Sequence, residues 1–493
     1  MLNFIILEHN FFEVMMRYNT FILFFLVVIL NSCDQKPDQA HPNILFIAVD
    51  DLRPELNCFG ASHIISPNID QVAGAGIIFR QAYCQVPVCG ASRASLLTGI
   101  RPNVSRFIDY DTWADNDVPG ALSLPDHFKA NGYHTISNGK IFHHKTDKID
   151  SWSEAPWLPA DDIVGVKYWR DYQKKENIEI MENNDGAGPP YENADVEDNA
   201  YFDGKLTDRS IKDLKRFKDM DKPFFLAVGY VKPHLPFNAP TKYWNLYDPD
   251  EINLPDNSHI PENAPAASIH NFGELRGYYN IPPDGPLPDS MARKLIHGYY
   301  ACVSYTDALI GKLIRELERL DLDKNTIVII WGDHGWNLGE HGLWCKHCNY
   351  ETSLKAPVIL KVPWKKGGIK TDALVEFIDV YPTLCDLAGI IIPDHVQGES
   401  LVKYYDNPNL KGKPFVFSRF IKGESVKNQE FRYTEWLDSS RSRYAEMLYD
   451  HRIDPDENHN ISGENENDEI LNTLRKANLE NRNQSENAKD AMK

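Results

Sequence analysis

The sequence is short of positive charge, of cysteine, of long apolar runs and of any repeat, and each shortage removes a class of protein. Lys and Arg number 52 against 71 Asp and Glu, a net charge of -19. That balance excludes the basic footprint of a nucleic-acid binder. An acidic chain that binds an anion must reverse its own field locally, with cationic side chains gathered in one pocket. Eight cysteines scattered through 493 residues do not make a disulfide framework. The apolar run Phe21–Leu30 is shorter than the roughly 20 residues of a spanning helix. No period of about 20–50 residues is present, so solenoids and propellers are out. What remains is ordinary globular composition, 42% hydrophobic and 25% charged. The length allows two or three domains, or one large α/β domain with an appendage.

Arg17 precedes the Phe21–Leu30 run, and Leu30-Asn31-Ser32-Cys33 follows it. A run of this length suits a signal-peptide core, and Leu-Asn-Ser-Cys resembles the lipobox of bacterial lipoproteins, whose cysteine is acylated. The expectation is a signal peptide over 1–33, a polar tether over 34–41, and an exported protein anchored by lipid on Cys33. It would sit in the periplasm or at the surface of a bacterium. Glu8 and Glu13 make residues 1–14 a poor leader, so translation is expected to start at Met15 or Met16. Seven cysteines then remain, an odd number for an exported chain, so at least one thiol is unpaired or chemically altered.

NILFIAV (43–49) reads as a buried parallel strand, and SPNIDQVAGAG (66–76) as a helix start with Ser66 as N-cap and Pro67 behind it. YHTISNGK (133–140), FFLAVGYV (224–231) and TIVIIWG (326–332) are further strands. Leu309, Leu313, Leu317 and Leu320 share one helical face. Alternating strands and amphipathic helices predict an α/β fold with a large mixed or parallel sheet. Residues 150–205, rich in Asp, Asn, Gly and Pro, suit insertions over a sheet edge. PFVFSRF (414–420) and FRYTEWL (431–437) alternate like antiparallel strands. The predicted organisation is a catalytic domain over 42–406, a small C-terminal α+β subdomain over 407–475 and a polar tail over 476–493.

Ligands of open α/β sheets bind at the carboxyl ends of the strands. Four apolar runs here finish in charged or metal-capable residues: Asp50 and Asp51, Asp333 and His334, Lys140 and His143, Lys232 and His234. Singly each has a plainer reading, as a helix cap, a solvated turn or a satisfied core group. Jointly, three carboxylates and an imidazole suit a hard dication such as Ca²⁺ or Mg²⁺. GASRASLLTG (90–99) reads as a helix that ends at Gly99, with Cys89 at its N-terminus and Arg93 one turn on. A bare thiol there is either a low-pKa nucleophile or a misfit, since a soft sulfur is a poor ligand for a hard cation.

Cys-Gly-Ala-Ser-Arg with its Leu-Thr-Gly ending resembles the signature of the type I sulfatases, whose cysteine is oxidised to formylglycine (3-oxoalanine). The resemblance runs over about residues 42 to 463 and is nearest the iduronate-2-sulfatase branch. It rests on DDLRPELNCFG (50–60), SPNID (66–70), GKIFH (139–143), FFLAVGYVKPHLPF (224–237), GDHGWNLGEHGLWCKH (332–347), RYTEW (432–436) and LYDHRIDPDENHN (448–460). It implies an alkaline-phosphatase-like α/β sandwich with a smaller C-terminal subdomain. It implies one Ca²⁺ held by Asp50, Asp51, Asp333 and His334, completed by the modified residue 89. Cys89 would be the nucleophile's precursor and Arg93 its stabiliser. Lys140, His143, His234 and Lys346 would hold the sulfate and handle protons, His143 as acid/base.

The implied partners are a formylglycine-generating maturation enzyme and a sulfated oligo- or polysaccharide, of glycosaminoglycan or ulvan type, attacked from its end at a 2-O-sulfated uronate. Position 91 is Ala where the signature usually has Pro, and the maturation machinery of the family accepts either. WCKHC (344–348) on its own hints at a redox pair, but it follows Gly-rich turns, which leaves a local disulfide or two idle thiols. The alternatives are a phosphodiester or phosphonate hydrolase of the same superfamily, and an inactive carbohydrate-binding lipoprotein.

Overall fold

A computed structural model of the chain describes residues 41–159 and 169–487. The expected signal peptide, Cys33, residues 34–40 of the tether and the last residues of the tail lie outside the described residues. Among the described residues no helix is long and apolar enough to cross a membrane.

The first strand, β1 (Asn43–Val49), sends Ile44, Phe46 and Ala48 into one apolar layer and Leu45, Ile47 and Val49 into another. A strand buried on both faces has to be apolar throughout, which is why NILFIAV shows no polar alternation. Helix α1 (Pro67–Gly74) follows, with Pro67 at its first position, where a missing N–H costs nothing. The Ser66 hydroxyl donates to Asp70 and does not cap the helix through a backbone amide. Then come β2 (Ile77–Tyr83), α2 (Cys89–Thr98), β3 (His134–Gly139), α3 (Phe202–Phe217) and β4 (Phe224–Tyr230). Helix α4 (Asp289–Arg319), β5 (Thr326–Gly332), β6 (Val358–Lys361) and β7 (Ile369–Glu376) complete the main layer structure.

The seven strands lie in the order β7-β2-β6-β5-β1-β4-β3. β3, β4, β1 and β5 run parallel, while β6 is antiparallel to both its neighbours. The sheet is therefore mixed, with its parallel half carrying the strand ends that the sequence singled out. α4 starts upstream of the leucine stripe, and Leu309, Leu313 and Leu317 are fully buried on it. Leu320 lies just beyond the helix end and is still buried.

The C-terminal part is a four-stranded antiparallel sheet: β8 (Val416–Phe420), β9 (Gly423–Lys427), β10 (Phe431–Leu437) and β11 (Arg443–Asp450). Helix α5 (Asp468–Asn487) covers it, packing Leu471, Leu474 and Ala477 on Val426, Tyr433 and Leu448. The segment expected as a polar tail from 476 is thus helical as far as Asn487. Its polarity is that of a helix with one buried stripe, and Arg482 donates to Glu424 at 2.7 Å and to Glu435 at 2.9 Å.

Candidate active site

Two backbone bonds bring three strand ends together: Asp50 N–H donates to the Tyr230 carbonyl at 3.1 Å, and Asp333 N–H to the Val49 carbonyl at 3.3 Å. Asp50, Asp51, Asp333 and His334 follow directly and are all fully buried. Asp51 takes a left-handed φ of 59°, costly for a residue with a Cβ. The turn is held at both ends. The Asp51 N–H donates to Asp333 Oδ1 at 3.0 Å, and its carbonyl accepts from the Tyr299 hydroxyl of α4 at 2.8 Å. This turn is what presents two successive carboxylates to one point.

Cys89 opens α2 after Val88, which is extended, and the whole helix is buried. Its first turn carries the loop of Asp109 and Tyr110. A Cβ on Gly90 would come within 2.2 Å of the Tyr110 carbonyl oxygen, so only glycine fits. The Cys89 sulfur lies 3.3 Å from His334 Nε2. The candidate ligand atoms of Asp50, Cys89, Asp333 and His334 all fall within 4.8 Å of one another, as do those of Asp50, Asp51, Cys89 and His234.

Arg93 sits at the centre of this cluster. Its Nε donates to Asp333 Oδ2 at 2.8 Å and its Nη2 to Asp50 Oδ1 at 3.2 Å. Nη1 donates to the carbonyls of Lys140 and Ile141, tying α2 to the loop after β3. Gly229 permits that loop's approach: a Cβ there would stand 2.0 Å from the Lys140 carbonyl oxygen. Lys140 then reaches Asp50 Oδ2 with its ammonium at 2.5 Å. Lys346 arrives from the other side, between Cys345 and His347, both at positive φ. Its ammonium is 3.1 Å from Asp51 Oδ1 and 2.9 Å from Glu274 Oε1, above the Trp336 ring. His234 stands at the outer edge, its Nε2 3.1 Å from Glu274 Oε1 and 4.0 Å from Asp51 Oδ2. His143 is one step further out. It makes no ion pair with the cluster, its ring lies 6.3 Å from that of Tyr110, and its Nδ1 has no partner among the described residues.

The charges explain what the cluster can do. Burial works to raise the Asp50 carboxyl, yet Lys140 and Arg93 hold it well below the usual carboxylate range. Asp51 goes the other way: burial, helped by Asp50 and the Cys89 sulfur, pushes it well above that range despite Lys346. Counting Glu274, the site sets four carboxylates against three permanent cations, Arg93, Lys140 and Lys346. A hard dication fits that deficit and the oxygen-rich donor set; the Cys89 sulfur is the one atom of the set that does not fit it. Burial and Asp50 push the Cys89 thiol up to about 12. The helix N-terminus does not make it a thiolate, which corrects the low-pKa reading. Burial and Lys140 lower His143 to about 2, so its imidazole is neutral.

Glu274, on the short helical turn Gly273–Arg276, was not legible in the sequence. The stretch around FGELR carries no strand end and no motif. Cys345 and Cys348 are free, like every other described cysteine. Trp344–Cys345 pairs with Asn337–Leu338, and Cys348 is near Ser353 Oγ at 3.0 Å. The expected choice between a local disulfide and idle thiols falls to the thiols. A second acidic group, Glu351, His451 and Glu457, lies under the C-terminal sheet.

Residues 42–390 match the family described as sulfatase, and residues 339–484 match the one described as N-sulphoglucosamine sulphohydrolase, C-terminal. The iduronate 2-sulfatase of Mus musculus is 32% identical over 523 residues, covering 88% of this chain and 93% of its own. The ulvan-active sulfatase of Formosa agariphila is 27% identical, covering 90% of this chain and 82% of its own. The crystal structure of a phosphonate monoester hydrolase from Agrobacterium radiobacter superposes with a TM-score of 0.73 at 19% identity, covering 90% of this chain and 96% of that one.

Proposed function

This chain belongs to the sulfatase family and is a sulfuric ester hydrolase acting on sulfated glycans; from that premise we propose that it removes the 2-O-sulfate from a terminal uronate, with Cys89 oxidised to formylglycine. The observation that carries the reading is the convergence of Asp50, Asp51, Asp333 and His334 on a buried, un-ionised thiol at the start of α2. A protonated thiol is a poor nucleophile and a poor calcium ligand. An aldehyde hydrate at the same position is neither: one hydroxyl can attack sulfur, and the other can expel the sulfate afterwards.

Asp50, Asp51, Asp333 and His334 would hold Ca²⁺, which when bound makes an oxygen at residue 89 easier to deprotonate. Arg93 keeps two of those carboxylates in register through its bonds to Asp50 and Asp333. Lys140, paired with Asp50, and Lys346, paired with Asp51, supply the positive field that the acidic chain otherwise lacks. Each cationic donor aimed at the sulfate oxygens contributes about 3 kcal/mol to barrier lowering, as single oxyanion-hole donors do. His234 or Lys346 donates a proton to the departing sugar oxygen. His143, neutral and with a free ring nitrogen, accepts the proton of the second hydroxyl as sulfate leaves. The same reading has the chain exported and held by lipid on Cys33, which rests on the Leu-Asn-Ser-Cys sequence.

Mass spectrometry of the peptide containing residue 89 reads the modification. Sulfate release is then measured on uronate-2-sulfated disaccharides, ulvan oligosaccharides, 6-sulfated hexosamines and aryl sulfate, with aryl phosphonate alongside. The expected result is an aldehyde at residue 89 and release from the uronate-2-sulfated disaccharide. An aldehyde-bearing, calcium-supplied enzyme that hydrolyses only the phosphonate overturns it.

A further inference from the structure

Lys346 has two carboxylate partners, and only one belongs to the metal cluster. Asp51 is fully buried, whereas 20% of the Glu274 side chain is exposed, which places Glu274 nearer the rim of the site. A carboxylate at the rim of an anion-binding pocket repels the sulfate that the pocket attracts, so its presence needs a reason. Its two oxygens are used differently. Oε1 takes both Lys346 Nζ at 2.9 Å and His234 Nε2 at 3.1 Å. Oε2 is buried and has no partner among the described residues. A buried acceptor left unpaired is costly, more so when charged. Glu274 is charged: burial acts to raise its carboxyl, but Lys346 and His234 hold it well below the usual range.

An ionised carboxylate accepts hydrogen bonds and cannot donate one. The group that meets Oε2 must therefore be a donor, which excludes a second sulfate or a uronate carboxylate from this position. Because Glu274 shares Lys346 and His234 with the sulfate ester, the donor belongs to the carbon next to the one that carries the ester. In a terminal 2-O-sulfated uronate that neighbour is the C3 hydroxyl, since C1 carries the glycosidic oxygen. Resting on the reading above for the ester's position, we propose that Glu274 determines specificity by accepting a hydrogen bond from the hydroxyl adjacent to the sulfate ester. The charge that repels a misplaced anion also selects a sugar presented with its free hydroxyl inward.

The test uses the full chain, converted at residue 89 and supplied with calcium. Sulfate release is compared between a uronate-2-sulfated disaccharide and its 3-deoxy counterpart, for the parent, Glu274→Gln and Glu274→Ala. A hydrogen bond to a charged group corresponds to a preference on the order of 10- to 100-fold in kcat/KM for the hydroxylated substrate. The parent should show that preference, Glu274→Gln a smaller one, and Glu274→Ala none. The ratio is insensitive to the fraction of each variant that folds. A parent without preference, or a preference that survives in Glu274→Ala, overturns the assignment. So does an equal loss on both substrates with the ratio unchanged, the mark of a merely structural role. If neither uronate is hydrolysed, the substrate reading fails. The same paired comparison on the sulfated sugar of the panel that is hydrolysed, with and without the hydroxyl beside its ester, then decides Glu274 by the same criteria.

Discussion

Two acidic groups in this molecule look alike as geometry and differ in charge. One is Asp50, Asp51, Asp333 and His334 at the strand ends; the other is Glu351, His451 and Glu457 beneath the C-terminal sheet. In the second, Arg432 of β10 lies between the two glutamates, its Nε 2.9 Å from Glu457 and an Nη paired with Glu351. Lys427 meets His451 Nδ1 at 2.8 Å. Both carboxyls are held low against burial, Glu351 by Arg432 and Lys427 and Glu457 by His451 and Arg432. Nothing is left for a metal ion to neutralise. In the first group burial drives Asp51 up, with Asp50 and the Cys89 sulfur adding to it, and Lys346 does not offset them. Proximity of acids nominates a cation site, and incomplete neutralisation distinguishes it from an ion-pair network.

The largest effect expected from this contrast is on folding. Arg432→Met removes the cation shared by Glu351 and Glu457 and should cost about 3–5 kcal/mol in denaturant unfolding, with sulfate release per folded molecule near the parent's. An equally large loss of turnover would join the second group to the catalytic site and break the comparison. Asp50→Asn should do the reverse. Sulfate release falls by on the order of 10² to 10³-fold, and bound calcium, measured by elemental analysis, falls with it.

Acid stability sharpens the same point at a third buried carboxylate. Glu376, paired with Arg101 and Lys413, is lowered to about 2 from 4.5: burial opposes the shift, and Arg101 and Lys413 outweigh it. Between those values the unfolded chain holds the proton and the native state does not, so stability rises with pH across the window. The contribution is about 3 kcal/mol above pH 4.5 and is lost as pH falls toward 2. Glu376→Gln should flatten that part of the stability profile, measured by unfolding between pH 2 and 5.

Calcium at about 100 times its dissociation constant should stabilise the parent by about 2.7 kcal/mol. The Asp50→Asn variant should lose that gain, and variants at Glu457 should keep it. The smallest change is expected on the segment that links the two groups. Cys345→Ala and Cys348→Ala should each shift unfolding by about 1 kcal/mol, with sulfate release indifferent to oxidants and reductants.

The metal cluster was legible because each member directly follows an apolar strand, and strand ends converge wherever parallel strands are neighbours. Arg93 could be placed from helical spacing alone. Lys346 was named only through the family resemblance, because its position depends on two left-handed residues in a loop. Glu274 was invisible: a four-residue helical turn in a stretch of irregular chain announces no chemistry. The polar tail misread α5 for a related reason. Its alternation of Leu471, Leu474 and Ala477 with charged residues becomes meaningful only once a sheet is there to receive it. The thiols of WCKHC were left ambiguous by spacing and resolved by a two-residue strand pairing that spacing does not encode.

By itself the sequence determined the strands, the order of charged residues at their ends and the helix that begins at Cys89, because apolar periodicity and chain direction are local properties. Only the tertiary structure decided which carboxylates are neutralised and which are not. Charge balance in a buried site is set by side chains hundreds of residues apart, such as Arg432 with Glu351 or Lys346 with Asp51, and it has no signature along the chain.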